Sequence, residues 1–444
     1  MAKIVIAGCG HGGLVAAIKL AKAGHGVTVY EKAPREEIGH PQSDAFDYDT
    51  FTYADLPVAP YFRRGGNVIT FVPPGADNEP LTLPPLENES YIVDRKELIN
   101  YLIELAEESG VEILFEKEVT GPIILGNRVV GIVAAEEKIY CDLVIDACGV
   151  GSPVRSQLPD FMGVNRAIEK YDVVHSYRAY FTRTDAPDPR YNYQLYLQED
   201  GTVGFSWLIT EIDRADALIC RFYYPEDSEI LELLRGLQEK NPQMGKDMIY
   251  GGKRALIPVC QPLGMLVADG YAAVGDSAFM TIPVKGSGIT YSFKAGKMLA
   301  DCILKDTEGF FDAESLWEYE RRFFKELGFG ACHLAILKNI LPYLTAEQVD
   351  EIFRLKLLST EEIQDIMTNA ASTLFSTKGL AAVKNKIRTA GTSPVVKDIL
   401  SNIAVWIGRF FVIEAAFPSK YDRADIQKWL RRYNDFFTSI KKPE

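Results

Sequence analysis

KIVIAGCGHGGLVAAIKLAKAGHGVTVYEK, Lys3 to Lys32, decides the fold. Ile4, Val5 and Ile6 form a short apolar run, as expected of a strand buried on both faces in a parallel sheet. Gly8-Cys9-Gly10-His11-Gly12-Gly13 follows, then a helical pattern through Ala23. Past Gly24 and Gly26, a second strand runs from Val27 to Tyr30 and ends at Glu31. Gly8 permits the tight turn, Gly10 lets a pyrophosphate approach the backbone, and Gly13 lets the helix pack close to the strand. The helix N-terminus offers free N–H groups and a partial positive charge to phosphates. Glu31 lies where a carboxylate can accept hydrogen bonds from a ribose, and Lys32 beside it is counted with the cofactor contacts. The pattern predicts a dinucleotide site; the bland alternative is a glycine-rich turn that binds nothing. This stretch does not by itself choose between NAD and FAD.

The 444 residues suffice for two or three domains and a sizeable core. A composition that is 47% hydrophobic and 25% charged is that of an ordinary soluble globular protein. The net charge of −13 argues against nucleic-acid binding, which needs clustered cations. The seven cysteines are widely spaced, form no CxxC pair and do not cluster with the five histidines. That pattern argues against a disulfide framework or a metal site and for a reducing cytoplasm. No signal peptide is expected, because the first strand begins near Lys3. The most apolar stretch, Ile399 to Phe417, is interrupted by Arg409 and Glu414, so a transmembrane helix is not expected. A buried helix is the plain reading; an apolar ligand tunnel or a membrane-facing surface are the alternatives.

A polar, proline-bearing stretch from Glu31 to about Asn88 is too long for a simple connection. An amphipathic helix then carries Leu98, Leu102, Leu105 and Ala106 on one face, closed by Ser109-Gly110 and followed by a strand at Val111–Phe115. A hairpin precedes a buried strand at Leu143–Asp146. Tyr171 to about Tyr224 alternates apolar and polar residues and is rich in aromatics, which predicts a separate antiparallel sheet. Gly270 onward reads as a strand, a loop and a long helix, and the chain is mostly helical from about Leu316.

Three motifs stand in order: Gly8–Glu31; CDLVIDACGVGSPVR, Cys141 to Arg155; and GYAAVGDSAFMTIPVKGSGI, Gly270 to Ile289. Together they resemble the flavoprotein superfamily that includes para-hydroxybenzoate hydroxylase, the flavin-dependent halogenases and the geranylgeranyl reductases, over roughly Ala2 to Leu327. The resemblance implies FAD as the cofactor. In the third motif it implies that Asp276 binds the ribityl chain. It also implies that Pro283, Gly286, Gly288 and Ile289 bring a helix start to the pyrophosphate side and the pyrimidine edge of the flavin, where a helix N-terminus stabilises the charge of a reduced flavin. The second motif supplies Gly149, but Cys148 stands where an Asp usually precedes that glycine; a buried, inert thiol is the default for it. Arg95 sits where the superfamily places a cofactor-contacting arginine, and Val119 matches the usual adenine-side backbone contact.

Within the superfamily, PREEIGHPQSDAFD, Pro34 to Asp47, resembles the geranylgeranyl reductase segment that follows the ribose-binding Glu. Gly39-His40-Pro41 match, but Asp44 occupies the place of a family cysteine near the flavin. GFSWLIT, Gly204 to Thr210, resembles a sheet motif of the same reductases at Phe205 and Trp207, with Ile209-Thr210 in place of Phe-Pro. It also resembles a halogenase pattern at Trp207 and Ile209. Asp44 is a candidate proton donor if burial raises its pKa; a hydrogen bond to FAD or a turn cap are the plainer roles. Lys285 is a candidate to steady the anionic flavin or orient substrate, against a solvent-exposed lysine. His40 reads as a loop histidine. Phe205 and Trp207 are candidate substrate contacts, against plain core packing.

The fold class implied is α/β. It comprises a Rossmann-type FAD-binding domain in three segments (1–60, 89–158, 256–304), a substrate-domain or cap insertion at 61–88, an antiparallel β-sheet substrate domain at 159–255 and a helical C-terminal region at 305–444. The function implied is an FAD-dependent oxidoreductase reducing C=C bonds of a hydrophobic, prenyl-like substrate by hydride transfer. Its electrons would come from an external donor (ferredoxin, flavoprotein or NAD(P)H), with peripheral membrane contact allowed. A monooxygenase or halogenase using O₂, and a non-catalytic flavin-binding protein, are the alternatives.

Overall fold

The structure is a computed structural model that describes residues 1–39, 41–65, 68–83, 90–189, 192–357, 359–367, 381, 385–386, 388 and 393–440. His40 lies outside the described residues.

Ile4, Val5 and Ile6 are fully buried at the centre of a six-stranded sheet. Its order is Val267–Ala268, Tyr271–Ala273, Leu143–Asp146, Lys3–Ala7, Gly26–Tyr30, Glu112–Leu114. Neighbours run parallel except the first pair, which is antiparallel. The chain steps from Lys3–Ala7 outward on one side and later returns on the other. Strand order therefore reverses at Lys3–Ala7, and the crevice beyond Ala7 and Asp146 is a topological switch point, where ligands of such sheets bind. The helix expected after the first strand spans His11–Lys22. It crosses the helix Ile289–Ile303 very closely: a Cβ on Gly296 would fall 2.3 Å from the Gly12 carbonyl oxygen.

The aromatic alternation of residues 171–224 folds into four strands of a seven-stranded sheet. Its order is Met244–Pro258, Val173–Arg183, Arg214–Arg221, Gly204–Thr210, Tyr193–Leu197, Ile69–Val72, Leu81–Leu83. The sheet is wider than the alternation alone suggests. Its last two strands come from the polar stretch before Asn88, and Tyr193–Leu197 pairs with Ile69–Val72 in parallel. That polar stretch also forms Ser43–Asp47 and Arg63–Gly65, which flank Ser90–Asp94 in a small antiparallel sheet. Strands of three to five residues are too short for a period of two to stand out in the sequence.

The amphipathic helix spans Arg95–Glu108 and buries Leu98, Leu102 and Ala106, with Ile99 and Ile103 beside them; Leu105 is half-buried. Asp94 caps it, accepting from the N–H groups of Lys96 and Glu97. The helical end includes Trp317–Phe323, Phe329–Lys338, Pro394–Ala415 and Arg423–Ile440. Burial of Pro394–Ala415 is one-sided and not complete: Ile407 and Phe410 are buried, while Val405 and Val412 are exposed. Among the described residues no single helix is long and apolar enough to cross a membrane. All seven cysteines are free thiols, and no metal-holding cluster is found among the described residues.

Candidate functional site

The glycine-rich turn lies at the carboxyl end of Lys3–Ala7. Gly8 has φ +87°, a conformation that favours glycine, and a Cβ there would meet the Ala147 carbonyl oxygen at 2.6 Å. A Cβ on Gly13 would fall 2.7 Å from the Ala147 Cβ, so this position does serve close helix–strand packing. For Gly10 the nearest obstacle is again the Ala147 carbonyl, at 2.9 Å. The second motif thus presses on the first and excludes side chains at Gly8, Gly10 and Gly13. No side chain caps the helix at Gly10 and no acid occupies its first turn, so its dipole is left available to an anion.

Glu31 is held by two backbone donors. The Cys9 N–H donates to Oε2 and the Ala33 N–H to Oε1, each at 2.9 Å. Lys32 beside it is exposed. Lys117 donates its N–H to the Glu31 carbonyl, two residues before Val119 opens the next strand.

Asp44 and Arg95 are brought together by the small sheet. Asp44 lies opposite Val93 in the register, one turn of chain from the helix that Arg95 begins. Arg95 Nε donates to Asp44 Oδ2 at 2.5 Å, and the Arg95 N–H donates to the Gln42 carbonyl. Ser43, next in the chain, is gripped from the seven-stranded sheet. Its N–H donates to Tyr180 Oη at 2.8 Å, its carbonyl accepts from Arg178 Nη2 at 2.8 Å, and its hydroxyl donates to Glu211 at 2.7 Å. Arg178 is itself paired with the fully buried Asp216. Neither Ser43 nor this ion pair is visible from motifs; the only signal is a charged residue inside each of two apolar strands.

The backbone at Cys148 is anchored by an acid two residues earlier. Asp146, fully buried, accepts from the Cys148 N–H, from Ser152 Oγ and from Tyr271 Oη. Burial pushes the Cys148 thiol well above its usual range, with Asp146 adding to the effect; an inert thiol follows. Gly149 donates its N–H to Ser277 Oγ at 2.9 Å, and the buried Arg155 donates to the Ser277 and Val150 carbonyls while its guanidinium lies 4.4 Å above the Phe279 ring. Arg155 ties the second motif to the third, a role the sequence reading did not assign.

In the third motif Asp276 accepts from Thr281 Oγ1 at 3.0 Å, and burial raises its pKa. Pro283 lies in the turn between Ile282 and Ser287, which pair as an isolated bridge before the helix opens at Ile289. Lys285 sits in that turn; burial lowers its pKa, while Asp47 raises it.

A cavity of about 510 Å³ joins these parts. On one side stand Gly10, His11, Gly12, Asp44, Arg95, Gly149, Asp276, Gly286, Gly288 and Ile289. On the other stand Ser176, Arg178, Tyr180, Trp207, Leu218, Tyr250 and Ile257 of the seven-stranded sheet. Trp207 lies on the cavity with its Nε1 buried and unpartnered, and Arg178 sits 5.4 Å over its ring. Phe205 does not line the cavity; together with Trp207 it packs against a satellite cluster of Val174, Leu218, Cys220 and Phe222. Glu31, Val119 and Lys285 do not line this cavity.

The donor set suits a dinucleotide. Glycine backbone is bared at a helix start, a two-fold-anchored carboxylate lies at the end of the second strand, and His11 Nε2 is buried without a partner on the cavity wall.

The sequence profile described as FAD binding domain matches residues 1–229. The digeranylgeranylglycerophospholipid reductase of Sulfolobus acidocaldarius is 24% identical over 375 residues, covering 81% of this chain and 82% of its own. A reductase of the same name from Methanococcoides burtonii is 26% identical over 365 residues, covering 79% and 86%. Among solved structures, a geranylgeranyl bacteriochlorophyll reductase-like protein from Thermoplasma acidophilum superposes with TM-score 0.70 at 19% identity, over 82% of this chain and 95% of its own. A myxobacterial FAD-dependent chondrochloren halogenase superposes with TM-score 0.59 at 19% identity, over 77% and 83%.

Proposed function

Because this chain belongs to the FAD binding domain family, we propose that it is an FAD-dependent oxidoreductase, similar to the geranylgeranyl reductases, that reduces a C=C bond of a hydrophobic, prenyl-bearing substrate. The observation that carries this reading is the continuity of one cavity. It runs from the glycine turn and the Gly286–Ile289 helix start to Trp207, Leu218 and Ile257 on the facing sheet. The reductase relatives match this chain over four-fifths or more of their own length, which supports transfer of the reaction class.

In this reading Gly8, Gly10 and Gly13 leave room for the pyrophosphate, and Glu31, Lys32 and Val119 serve the adenosine end. Gly149, Arg95 and Asp276 hold the middle of the cofactor. Pro283, Gly286, Gly288 and Ile289 bring backbone donors to the flavin edge, with Lys285 adding positive charge nearby. Bound FAD supplies two electrons, delivered as hydride to one carbon of the alkene, after an external donor has reduced it.

The other carbon takes a proton. Asp44 is engaged by Arg95, which suits it to holding that arginine in place. Tyr180 and Tyr250 line the same cavity, and burial raises both phenols, Tyr250 up to about 12. Both hydroxyls therefore keep their protons at neutral pH; the rise makes them weaker acids than an ordinary tyrosine, so they serve as hydrogen-bond donors in the cavity and not as matched general acids. Trp207 and Leu218 exclude water from the reacting bond.

The test is anaerobic. The purified protein is reduced, then mixed with polyprenyl lipids and other alkenes. Flavin reoxidation with product heavier by two hydrogens is the expected result. Reoxidation by O₂ alone, accelerated by substrate and yielding an oxygenated or halogenated product, would replace this reading with the monooxygenase or halogenase one.

A further inference from the structure

The cavity wall supplied by the seven-stranded sheet changes character along one row of side chains. Lys253 stands directly opposite Arg178, Arg178 opposite Leu218, and Leu218 opposite Trp207. Directly opposed residues share a face of the sheet, and all four line the cavity. The row reads cation, cation, apolar, apolar across four strands, a span of roughly 14 Å. Like charges directly opposite each other repel. Asp216 offsets Arg178, accepting from its Nε and Nη2. Lys253 is exposed and has no ion pair or hydrogen bond among the described residues. Its strand, Met244–Pro258, forms one edge of the sheet, and the ladder skips Gly252 just before it. Gly251 and Gly252 there have φ +91° and +71°. A bulge of this kind re-aims the side chains beside it and is common next to binding sites.

We propose that Lys253 and Arg178 form a specificity-determining seat for an anionic oxygen group, phosphate or carboxylate, at one end of the substrate, with the substrate's apolar chain lying over Leu218 and Trp207. The anion supplies the counter-charge that the sheet leaves out, in charge-assisted hydrogen bonds. The position of the seat fits that task. At the exposed edge strand a charged group keeps part of its hydration, whereas beside Leu218 and Trp207 it would lose it. The row thus fixes which end of an amphiphile lies at the sheet edge. This inference rests on the proposed reduction for the apolar arm of the substrate, and the seat takes no part in hydride transfer.

The test uses reduced holoenzyme, without O₂, and three polyprenyl compounds of one chain length: the phosphate, the carboxylate and the neutral alcohol. The expected wild-type KM is at least about tenfold lower for the anionic compounds than for the alcohol. Lys253→Ala should abolish that preference through KM and not through kcat, and Lys253→Arg should retain it. Added salt should shrink the preference of the wild-type chain. A lower KM for phosphate than for carboxylate, or the reverse, identifies the group; both sustain the proposal. Equal KM values for anionic and neutral compounds in the wild-type chain, or a K253A variant that shifts all three alike, would overturn it. FAD titration of the apo-protein separates substrate from cofactor. K253A should bind FAD as the wild-type chain does, and a loss of FAD affinity would assign Lys253 to the cofactor and overturn the seat. Should the wild-type holoenzyme reduce none of the three, the proposed reaction fails by itself and binding decides the seat. Dodecyl phosphate should then perturb the oxidised flavin spectrum at least about tenfold more tightly than dodecanol, and K253A should lose the difference; equal affinities in the wild-type chain would overturn the seat independently of the reaction.

Discussion

Arg95 Nε meets Asp44 Oδ2 at 2.5 Å across 51 residues of sequence, at the point where the small sheet hands the chain to a helix. Both side chains are partly exposed, 36% for Arg95 and 20% for Asp44, so the pair contributes little to folding stability, below about 1 kcal/mol. Its value lies in fixing a guanidinium on the cavity wall. Asp44→Asn is expected to leave the melting temperature nearly unchanged and to lower kcat at least about tenfold through loss of alignment. Steady-state kinetics beside a melting curve checks both halves. Wild-type turnover in D44N would exclude Asp44 from the reaction.

Arg178 and Asp216 form an ion pair with Asp216 fully buried. Removing one partner strands a charge, so Arg178→Met or Asp216→Leu alone is expected to cost about 3–5 kcal/mol. The double replacement should recover most of it, because no charge is left behind. Urea denaturation of the three variants measures the coupling; a double variant no more stable than the singles would contradict the pairing.

His11 and His333 both have pKa values lowered to about 4, in each case chiefly by burial. An exposed histidine in the unfolded chain titrates near 6.5. Between these values the unfolded state binds more protons, so stability falls as pH drops from about 6.5 to about 4 and is level above pH 7. The combined loss is expected to be on the order of a few kcal/mol in the apo-protein. His11→Phe together with His333→Phe should flatten the pH dependence of the unfolding free energy in that window; an unaltered slope would refute the assignment.

Gly296 lets the helix Ile289–Ile303 lie against Gly12, whose carbonyl oxygen would be 2.3 Å from any Cβ there. Gly296→Ala is expected to push the two helices apart, cost about 1–3 kcal/mol, and weaken FAD binding although residue 296 does not line the cavity. Thermal melting and flavin titration read the two effects, and unchanged FAD affinity would show that the helix crossing does not set the site.

The glycine turn was legible because its backbone constraint is local. The positive φ at Gly8 acts within one strand–helix–strand unit and the residue type records it directly, whereas the exclusion of side chains by Ala147 comes from the second motif, far along the chain. The four aromatic strands between Val173 and Arg221 were legible from their alternation. What escaped depends on register. Asp44 meets Arg95 only because Ser43–Asp47 pairs with Ser90–Asp94, and Arg178 meets Asp216 only because Tyr180 stands opposite Asp216 on the neighbouring strand. A shift of one residue in either ladder would turn these side chains to the other face. Ile69–Val72 and Leu81–Leu83 were hidden for another reason: they are short, and although they pair with each other, the strand that joins them to the sheet, Tyr193–Leu197, lies more than 100 residues further on. Asp146 was readable as the end of a buried strand, but its partners only in part: the Cys148 N–H and Ser152 Oγ are neighbours in sequence, whereas Tyr271 Oη reaches it through tertiary packing.

The interleaving of the two large sheets bears on how the chain comes off the ribosome. Leu143–Asp146 can join Lys3–Ala7 early, but its other edge waits for Tyr271–Ala273, which follows every strand of the seven-stranded sheet. At ordinary elongation rates that gap lasts roughly ten seconds, during which an apolar edge stays unpaired. Nor can the nascent seven-stranded sheet rest on a finished neighbour. The vulnerable interval for misassembly therefore falls in mid-synthesis, and slowing or speeding translation between Asp146 and Tyr271 should change the yield of native protein without changing one amino acid.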